Sequence, residues 1–406
     1  MNRYSSITIL LIFLLTSTIH AQNRTASPRL EPDPKAFEYH QMGGSQGNYT
    51  WQELAEISLW ASGNTANTSD LQRIITIAET IKADPDFPAS QSAQAEFILN
   101  YMHRNILRSY SLHQTRIDTM LSNGRFNCVS SAVLYTILCK AVGIDTSGVI
   151  TKDHAFVIAN IDGNAVDVET TNRYGFDPGN RKEFHDQFGT ATGFAYVPAQ
   201  NYRDRQTINQ IELVSLIFNN RISEHERHSR FAEAVPLAVD RAALLLGSSP
   251  VMSSTIPQDA LFKDPYNELL DRISNYGSVL LRRGQEDEAL QWANAASAIY
   301  PNTEKWKDFY FAAVNNRVSR FLRARQIEEA RTFLESYKVF ISDANYAQLD
   351  TVLLNARATD FHNRFATEWN KGNHAEAERI LNEGLTEFPD NRQLLNNRAT
   401  IERNRR

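Results

Sequence analysis

The stretch Phe126–Ile144, FNCVSSAVLYTILCKAVGI, places one of the chain's two cysteines in the first turn of an apolar helix. Asn127 is a good N-cap after the Asn123-Gly124 turn signal, and Gly143 stops the helix. A thiol at Cys128 feels the positive end of the helix dipole and unpaired backbone N–H groups, which favour the thiolate. The same N–H groups can contribute to an oxyanion hole. A buried structural cysteine is the competing explanation, and position alone leaves both open.

The sequence that follows adds a base and an acid. TSGVIT (Thr146–Thr151) reads as a strand, and His154 opens a second strand that ends at Asp162-Gly163, a hairpin turn signal. Ala165–Thr171 returns as its partner. With Asp162 and Gly163 as the two loop residues, Ile161 faces Asn164 and His154 faces Thr171, so Glu169 becomes the diagonal neighbour of His154 on one face. Asp167 shares that face one step further away. Glu169 is therefore the expected orienting acid and Asp167 the reserve. Cys128 and Cys139 lie eleven residues apart on one helix, a separation of about 16 Å, whereas a disulfide needs Cα atoms within about 7 Å. Cys139, among Ile137, Leu138, Ala141 and Val142, reads as a buried apolar thiol.

These residues resemble the core of the transglutaminase-like superfamily, a papain-related fold. Its members carry a cysteine at the start of a central helix, a histidine on one strand and an acid on the next. The family's histidine-alanine-aromatic-valine pattern matches His154-Ala155-Phe156-Val157. Its leucine-aspartate-proline-threonine ending matches Val168-Glu169-Thr170-Thr171, with Glu169 where an aspartate is usual. The resemblance is close over Gly124–Thr171 and looser over Trp51–Tyr202. It implies cysteine-dependent acyl chemistry, with Cys128 as nucleophile, His154 as base and Glu169 as orienter, ending in hydrolysis or in transfer to an amine. The aromatic or glutamine that often completes the family's oxyanion hole has no counterpart that can be placed. A non-catalytic scaffold or binding domain is the alternative.

The opening MNRYSSITILLIFLLTSTIHAQ has Arg3, an apolar run Ile7–Leu15 and small polar residues ending at Ala21, the layout of a secretory leader cleaved before Gln22. An uncleaved anchor is the alternative, although the run is shorter than the ~20 residues that span a bilayer. The expected protein is exported, periplasmic or secreted, with no transmembrane segment after cleavage. A formal charge of −5 and the lack of a long basic run argue against nucleic-acid binding. With 42% apolar residues the chain can bury sizeable cores over its 406 residues, and two or three domains are expected. No phosphate loop or paired Cys-x-x-Cys motif occurs. His225 and His228 lack a third ligand nearby, so neither a metal nor a cofactor is expected.

Helical patterns run through Trp51–Ala61, Asp70–Ala83 and Ser92–Tyr110, and TGFAYVPA (Thr192–Ala199) reads as a further strand. Beyond residue 265 the chain repeats a grammar in which Gly284, Arg325 and Gly372 each precede an alanine (Ala289, Ala330, Ala377) by five residues. Pro301 and Pro389 each follow their alanine by twelve. This grammar resembles tetratricopeptide (TPR) repeats, although the alanine spacings of 41 and 47 exceed the usual 34. An ordinary helical bundle is the alternative. The segment around Ala234 reads as a degenerate earlier unit. The expected organisation is a leader (1–21), a flexible linker (22–50), an α+β domain with helices on an antiparallel sheet (51–205), a helical connector (206–264) and all-α repeats (265–406). The expected partners are a peptide or protein substrate at the thiol and a protein bound by the repeats.

Overall fold

The computed structural model describes residues 27–44, 47–64, 68–180, 184, 204–248, 260–301 and 303–404. The expected leader and the strand expected at 192–199 lie outside them. The chain divides into two compact units, Met1–Tyr276 and Gly277–Arg406.

The first unit is α+β. It begins with α1 (Pro34–Met42), α2 (Trp51–Ala61), α3 (Thr68–Ala83) and α4 (Gln91–Asn105). A two-stranded parallel pair, β1 (Ser109–Tyr110) and β2 (Arg125–Phe126), flanks α5 (Ile117–Asn123). The central helix α6 (Cys128–Ala141) leads into β3 (Asp145–Ile150), β4 (Ala155–Ile161) and β5 (Asn164–Val168). Then come β6 (Gln206–Ile208), α7 (Gln210–Arg227), α8 (Phe231–Leu246) and α9 (Pro265–Arg282). The four-stranded sheet is antiparallel in the order β5-β4-β3-β6.

Helix α6 is buried throughout Cys128–Cys139 because α2, α4, α7, β3 and β4 all pack around it. A helix enclosed on every side must be apolar all round, as its sequence is. Its start is fixed by a capping box: the Asn127 side chain accepts from the Ser130 N–H at 2.9 Å, and the Asn127 N–H donates to Ser130 Oγ at 3.0 Å. The hairpin turn has positive φ at both Asp162 (49°) and Gly163 (82°), the requirement of a type I′ turn. Ile161 accordingly pairs with Asn164 and Val157 with Val168.

Several boundaries differ from the sequence expectation, each for a local reason. The helical pattern through Tyr110 breaks at Asn105, where the Arg108 and Ser109 N–H groups turn to the Gly124 carbonyl at 2.8 and 3.2 Å. The expected linker contains α1, capped by Asp33 with Pro34 at its first position. It docks on α8, with Arg29 reaching Asp240 at 2.7 Å and His40 bonded to the Leu244 carbonyl at 3.0 Å. The expected connector is core: α7 packs on α2, α6 and β3. The division between units falls inside α9 rather than before it, since Glu268 near its start is ion-paired to buried Arg241 of α8 at 2.5 Å.

The second unit is helical: the end of α9, then α10 (Glu286–Ile299), α11 (Thr303–Arg323), α12 (Ile327–Ser336), α13 (Asp343–Asn370), α14 (His374–Glu387) and α15 (Arg392–Asn404). Consecutive helices from α10 to α15 pack on one another. Ala289, Ala330 and Ala377 are all fully buried. The turns before them share one conformation, with Gly284, Arg325 and Gly372 at φ 71°, 60° and 81°. The next residue in each case, Gln285, Gln326 or Asn373, bonds back to the carbonyl five positions earlier. The same turn occurs in the first unit, where Ser229 has φ 58° and Arg230 bonds to the His225 carbonyl, five residues before buried Ala234. The three turns picked out by the sequence spacing thus share one backbone conformation, which also occurs before Ala234.

Among the described residues, no helix is long and apolar enough to cross a membrane.

Candidate active site

Cys128 occupies the first position of α6, and His154 immediately precedes β4. Glu169 follows β5 directly. Glu169 Oε2 lies 2.6 Å from His154 Nε2. The carboxylate is fully buried, and its other oxygen accepts from the Thr171 hydroxyl at 2.6 Å and the Thr171 N–H at 3.1 Å. A buried carboxylate needs such partners to offset its lost hydration.

The loop that holds Glu169 is tight. Its N–H donates to the Gly175 carbonyl at 2.7 Å, and the Gly175 N–H returns to the Asn172 carbonyl at 3.0 Å. A Cβ at Gly175 would stand 1.9 Å from the Glu169 carbonyl oxygen, so only glycine lets the two backbones approach this closely. Thr170 anchors the same loop to the central helix through a 2.8 Å contact between its hydroxyl and that of Ser131.

The imidazole of His154 is itself buried, with 6% of the side chain exposed. Burial alone would push its pKa down, but the charge and hydrogen bond of Glu169, with the influence of Cys128, outweigh it and hold the pKa well above the usual histidine range. With Nε2 committed to Glu169, Nδ1 is the nitrogen left to meet the thiol. Phe156 stacks near the ring at 6.4 Å between centroids, and Arg205 lies over Phe156 at 4.9 Å.

Asp167 is brought elsewhere. Its carboxylate forms a two-pronged ion pair with Arg205 at 2.5 and 2.8 Å. The two cysteines also part ways. Cys139 is wholly buried and its thiol is pushed up to about 12 by burial, whereas Cys128 keeps 8% exposure. Both are free thiols.

Two neighbours escape the sequence reading. His103, on α4, bonds through Nε2 to the Thr170 carbonyl at 3.1 Å. Burial drives its pKa down to about 4, so the ring is neutral beside Glu169. Tyr110, on β1, sits opposite Phe126, two residues before Cys128, with ring centroids 5.9 Å apart. Neither carries a motif. The signal that points to Tyr110 is the short strand Arg125–Phe126 ahead of the cysteine, which demands a partner.

The second unit contains a cleft of about 640 Å³ whose walls include Arg325, Asn355, Thr359, Asp360, Asn363 and Arg364. Asn355, Thr359 and Asn363 fall at four-residue intervals along one face of α13.

Comparisons of the chain with protein-family models, with curated proteins and with solved structures give no match.

Proposed function

We propose that the protein is an exported cysteine-dependent acyl-transfer enzyme, a transglutaminase-like peptidase, amidase or acyltransferase, with a TPR-like unit that binds a protein partner. The observation that carries this reading is the 2.6 Å contact between Glu169 Oε2 and His154 Nε2, with Cys128 at the first position of helix α6. A nucleophile, a base and an acid that fixes the base's tautomer are the parts such chemistry requires.

In this mechanism His154 takes the proton of Cys128, and the sulfur attacks the substrate carbonyl. Collapse of the tetrahedral intermediate releases the amine, which carries off the proton from His154. Water or an acceptor amine then gives a proton to His154 and attacks the thioester, which restores the thiol. Glu169 keeps Nε2 protonated throughout, so that Nδ1 exchanges the proton.

The cleft along α13 suits an extended peptide, because amide side chains at Asn355 and Asn363 can both donate to and accept from a backbone. The low exposure of Cys128 and His154 favours a second reading, a non-catalytic envelope scaffold whose thiol is merely enclosed. The two are separated by incubating the mature protein with p-nitrophenyl acetate. A burst of p-nitrophenolate that disappears in Cys128→Ser supports the enzyme. A wild-type protein without that burst supports the scaffold.

A further inference from the structure

Two polar side chains buried behind the site have no task in the acyl-transfer steps. Ser131 lies on α6 three residues beyond Cys128, and Thr170 follows Glu169 in the acid loop; both are fully buried. Their hydroxyl oxygens stand 2.8 Å apart. The contact joins the helix that carries the thiol to the loop that carries the acid, across 39 residues of sequence.

The direction of each proton follows from what each hydroxyl can reach. Ser131 Oγ is 2.9 Å from the Asn127 carbonyl and 3.3 Å from that of Cys128, and a carbonyl only accepts. Ser131 therefore donates along its own helix, and its oxygen is left to accept. Thr170 Oγ1 has no other hydrogen-bond partner among the described residues, so its proton goes to Ser131. The chain runs from the residue after Glu169 to the residue before Cys128. A second tether comes from α4, where His103 Nε2 donates to the Thr170 carbonyl at 3.1 Å. Thr170 is thus held by two helices, and its neighbour Thr171 binds Oε1 of the acid through N–H and hydroxyl. The leucine-aspartate-proline-threonine pattern that these residues resemble has proline in place of Thr170, and proline has no hydroxyl to offer.

We propose, building on the acyl-transfer reading, that Ser131 and Thr170 are a positioning pair whose buried hydroxyl contact fixes Glu169, and through it the His154 ring, relative to Cys128. Neither takes part in the bond changes. The lever is short, because Glu169 adjoins Thr170 and its Oε2 is 2.6 Å from His154 Nε2. A loop that slides on α6 carries the carboxylate with it, and the imidazole loses the partner that orients it. A hydroxyl pair holds a separation of about 2.8 Å, whereas apolar side chains in the same place can slide past one another. A misplacement of about 1 Å at a reacting group can cost about 10²-fold in rate.

Thr170→Val in the full mature chain removes the donor and keeps the shape. Ser131 retains its bond to Asn127, so no buried hydroxyl is orphaned and the fold should hold. Two reactions of Cys128 are followed: acylation by p-nitrophenyl acetate, and alkylation by iodoacetamide across pH. The acylation burst is expected to slow by about 10–10²-fold. The pH profile of alkylation is expected to take the form given by Glu169→Gln. Thr170→Ser restores the hydroxyl and should recover most of the lost rate. Adding Ser131→Ala to Thr170→Val should cost no further rate, since both break one contact.

A wild-type burst and profile in Thr170→Val overturns the proposal. So does a loss of stability with the profile unchanged, which marks mere packing, or a rate loss that adds in the double variant. A Glu169→Gln profile equal to the wild type's leaves nothing to position and also overturns it. Protection of Cys139 from label reports an intact fold in each sample. Should Thr170→Val expose Cys139, Ser131→Ala breaks the same contact from α6 and is judged by the same readings. A wild-type chain without a Cys128-dependent burst rejects the acyl-transfer reading itself. The alkylation profiles then decide the pair alone: a shift in Thr170→Val toward Glu169→Gln upholds it, and no shift overturns it.

Discussion

Glu169 and His154 form a buried pair, with Oε2 2.6 Å from Nε2 and almost no solvent on either group. Because the folded protein holds the His154 pKa above its unfolded value, the pair contributes stability that is fully present below about pH 6.5 and is lost as pH rises through the folded pKa. Thermal unfolding of the mature protein should show this as a decline above neutral pH, at a slope of up to about 1.4 kcal/mol per pH unit. Glu169→Gln should flatten that slope, because burial then dominates the imidazole. An unchanged slope in this variant would place the titrating group elsewhere.

His103 has the opposite sign. Its pKa is lowered to about 4, so the folded chain binds fewer protons than the unfolded chain between pH 4 and 6.5. Its contribution is present above pH 6.5 and is lost as pH falls toward 4, by an amount on the order of 3 kcal/mol in all. His103→Gln should make acid unfolding shallower across that window, as read by circular dichroism. If the midpoint and steepness stay the same, the ring is protonated in the folded state.

Gly175→Ala should act on the same acid from a distance. A Cβ there meets the Glu169 carbonyl at 1.9 Å, and the obstacle is backbone, which cannot rotate aside. The loop must open, so Glu169 leaves His154 and the pH dependence of alkylation at Cys128 should come to match that of Glu169→Gln. A variant whose profile equals the wild type's would show that the loop yields without moving the carboxylate.

Much of this geometry was legible because it depends on local rules. The Asp162-Gly163 pair dictates a two-residue turn, the turn dictates register, and register places Glu169 rather than Asp167 toward His154. Asn127 and Gly143 likewise bracket the cysteine helix by capping chemistry alone. Tyr110 and His103 were not legible. Tyr110 closed a run that reads as helix, and what turns it into a strand is pairing with Phe126, sixteen residues on. The partner of His103 is a carbonyl 67 residues away, beyond the reach of any spacing rule. The division inside α9 was hidden for a similar reason, since a buried ion pair rather than a composition change holds its first turns.

The repeat turns make a separate prediction for the second unit. Ala330 is fully buried at the start of α12, so Ala330→Leu should overpack the contact and cost about 1–3 kcal/mol in denaturant unfolding. Gly372 has open space around a would-be Cβ, so Gly372→Ala should cost only the left-handed backbone penalty of about 1–2 kcal/mol. Arg325 already bears that penalty at φ 60°, and Arg325→Gly should therefore be neutral to stabilising. A loss of stability in Arg325→Gly as large as that of Ala330→Leu would mean the arginine side chain, not the turn, matters there.

The last prediction separates the two thiols. Iodoacetamide should label Cys128 in the folded protein and spare Cys139, which is fully buried with its thiol pushed up to about 12. Denaturant should then expose Cys139 to reaction, with the two sites distinguished by peptide mapping. His154→Ala should slow labelling of Cys128 at pH 6 by roughly tenfold or more, because the group that accepts the thiol's proton is gone. The loss should shrink at pH 9, where hydroxide can do the same work. Cys128→Ser should abolish acylation while leaving Cys139 protected, since a hydroxyl of similar size keeps the first turn of α6 intact. Equal labelling of both cysteines at every pH would mark Cys128 as structural, and the scaffold reading would then hold the ground.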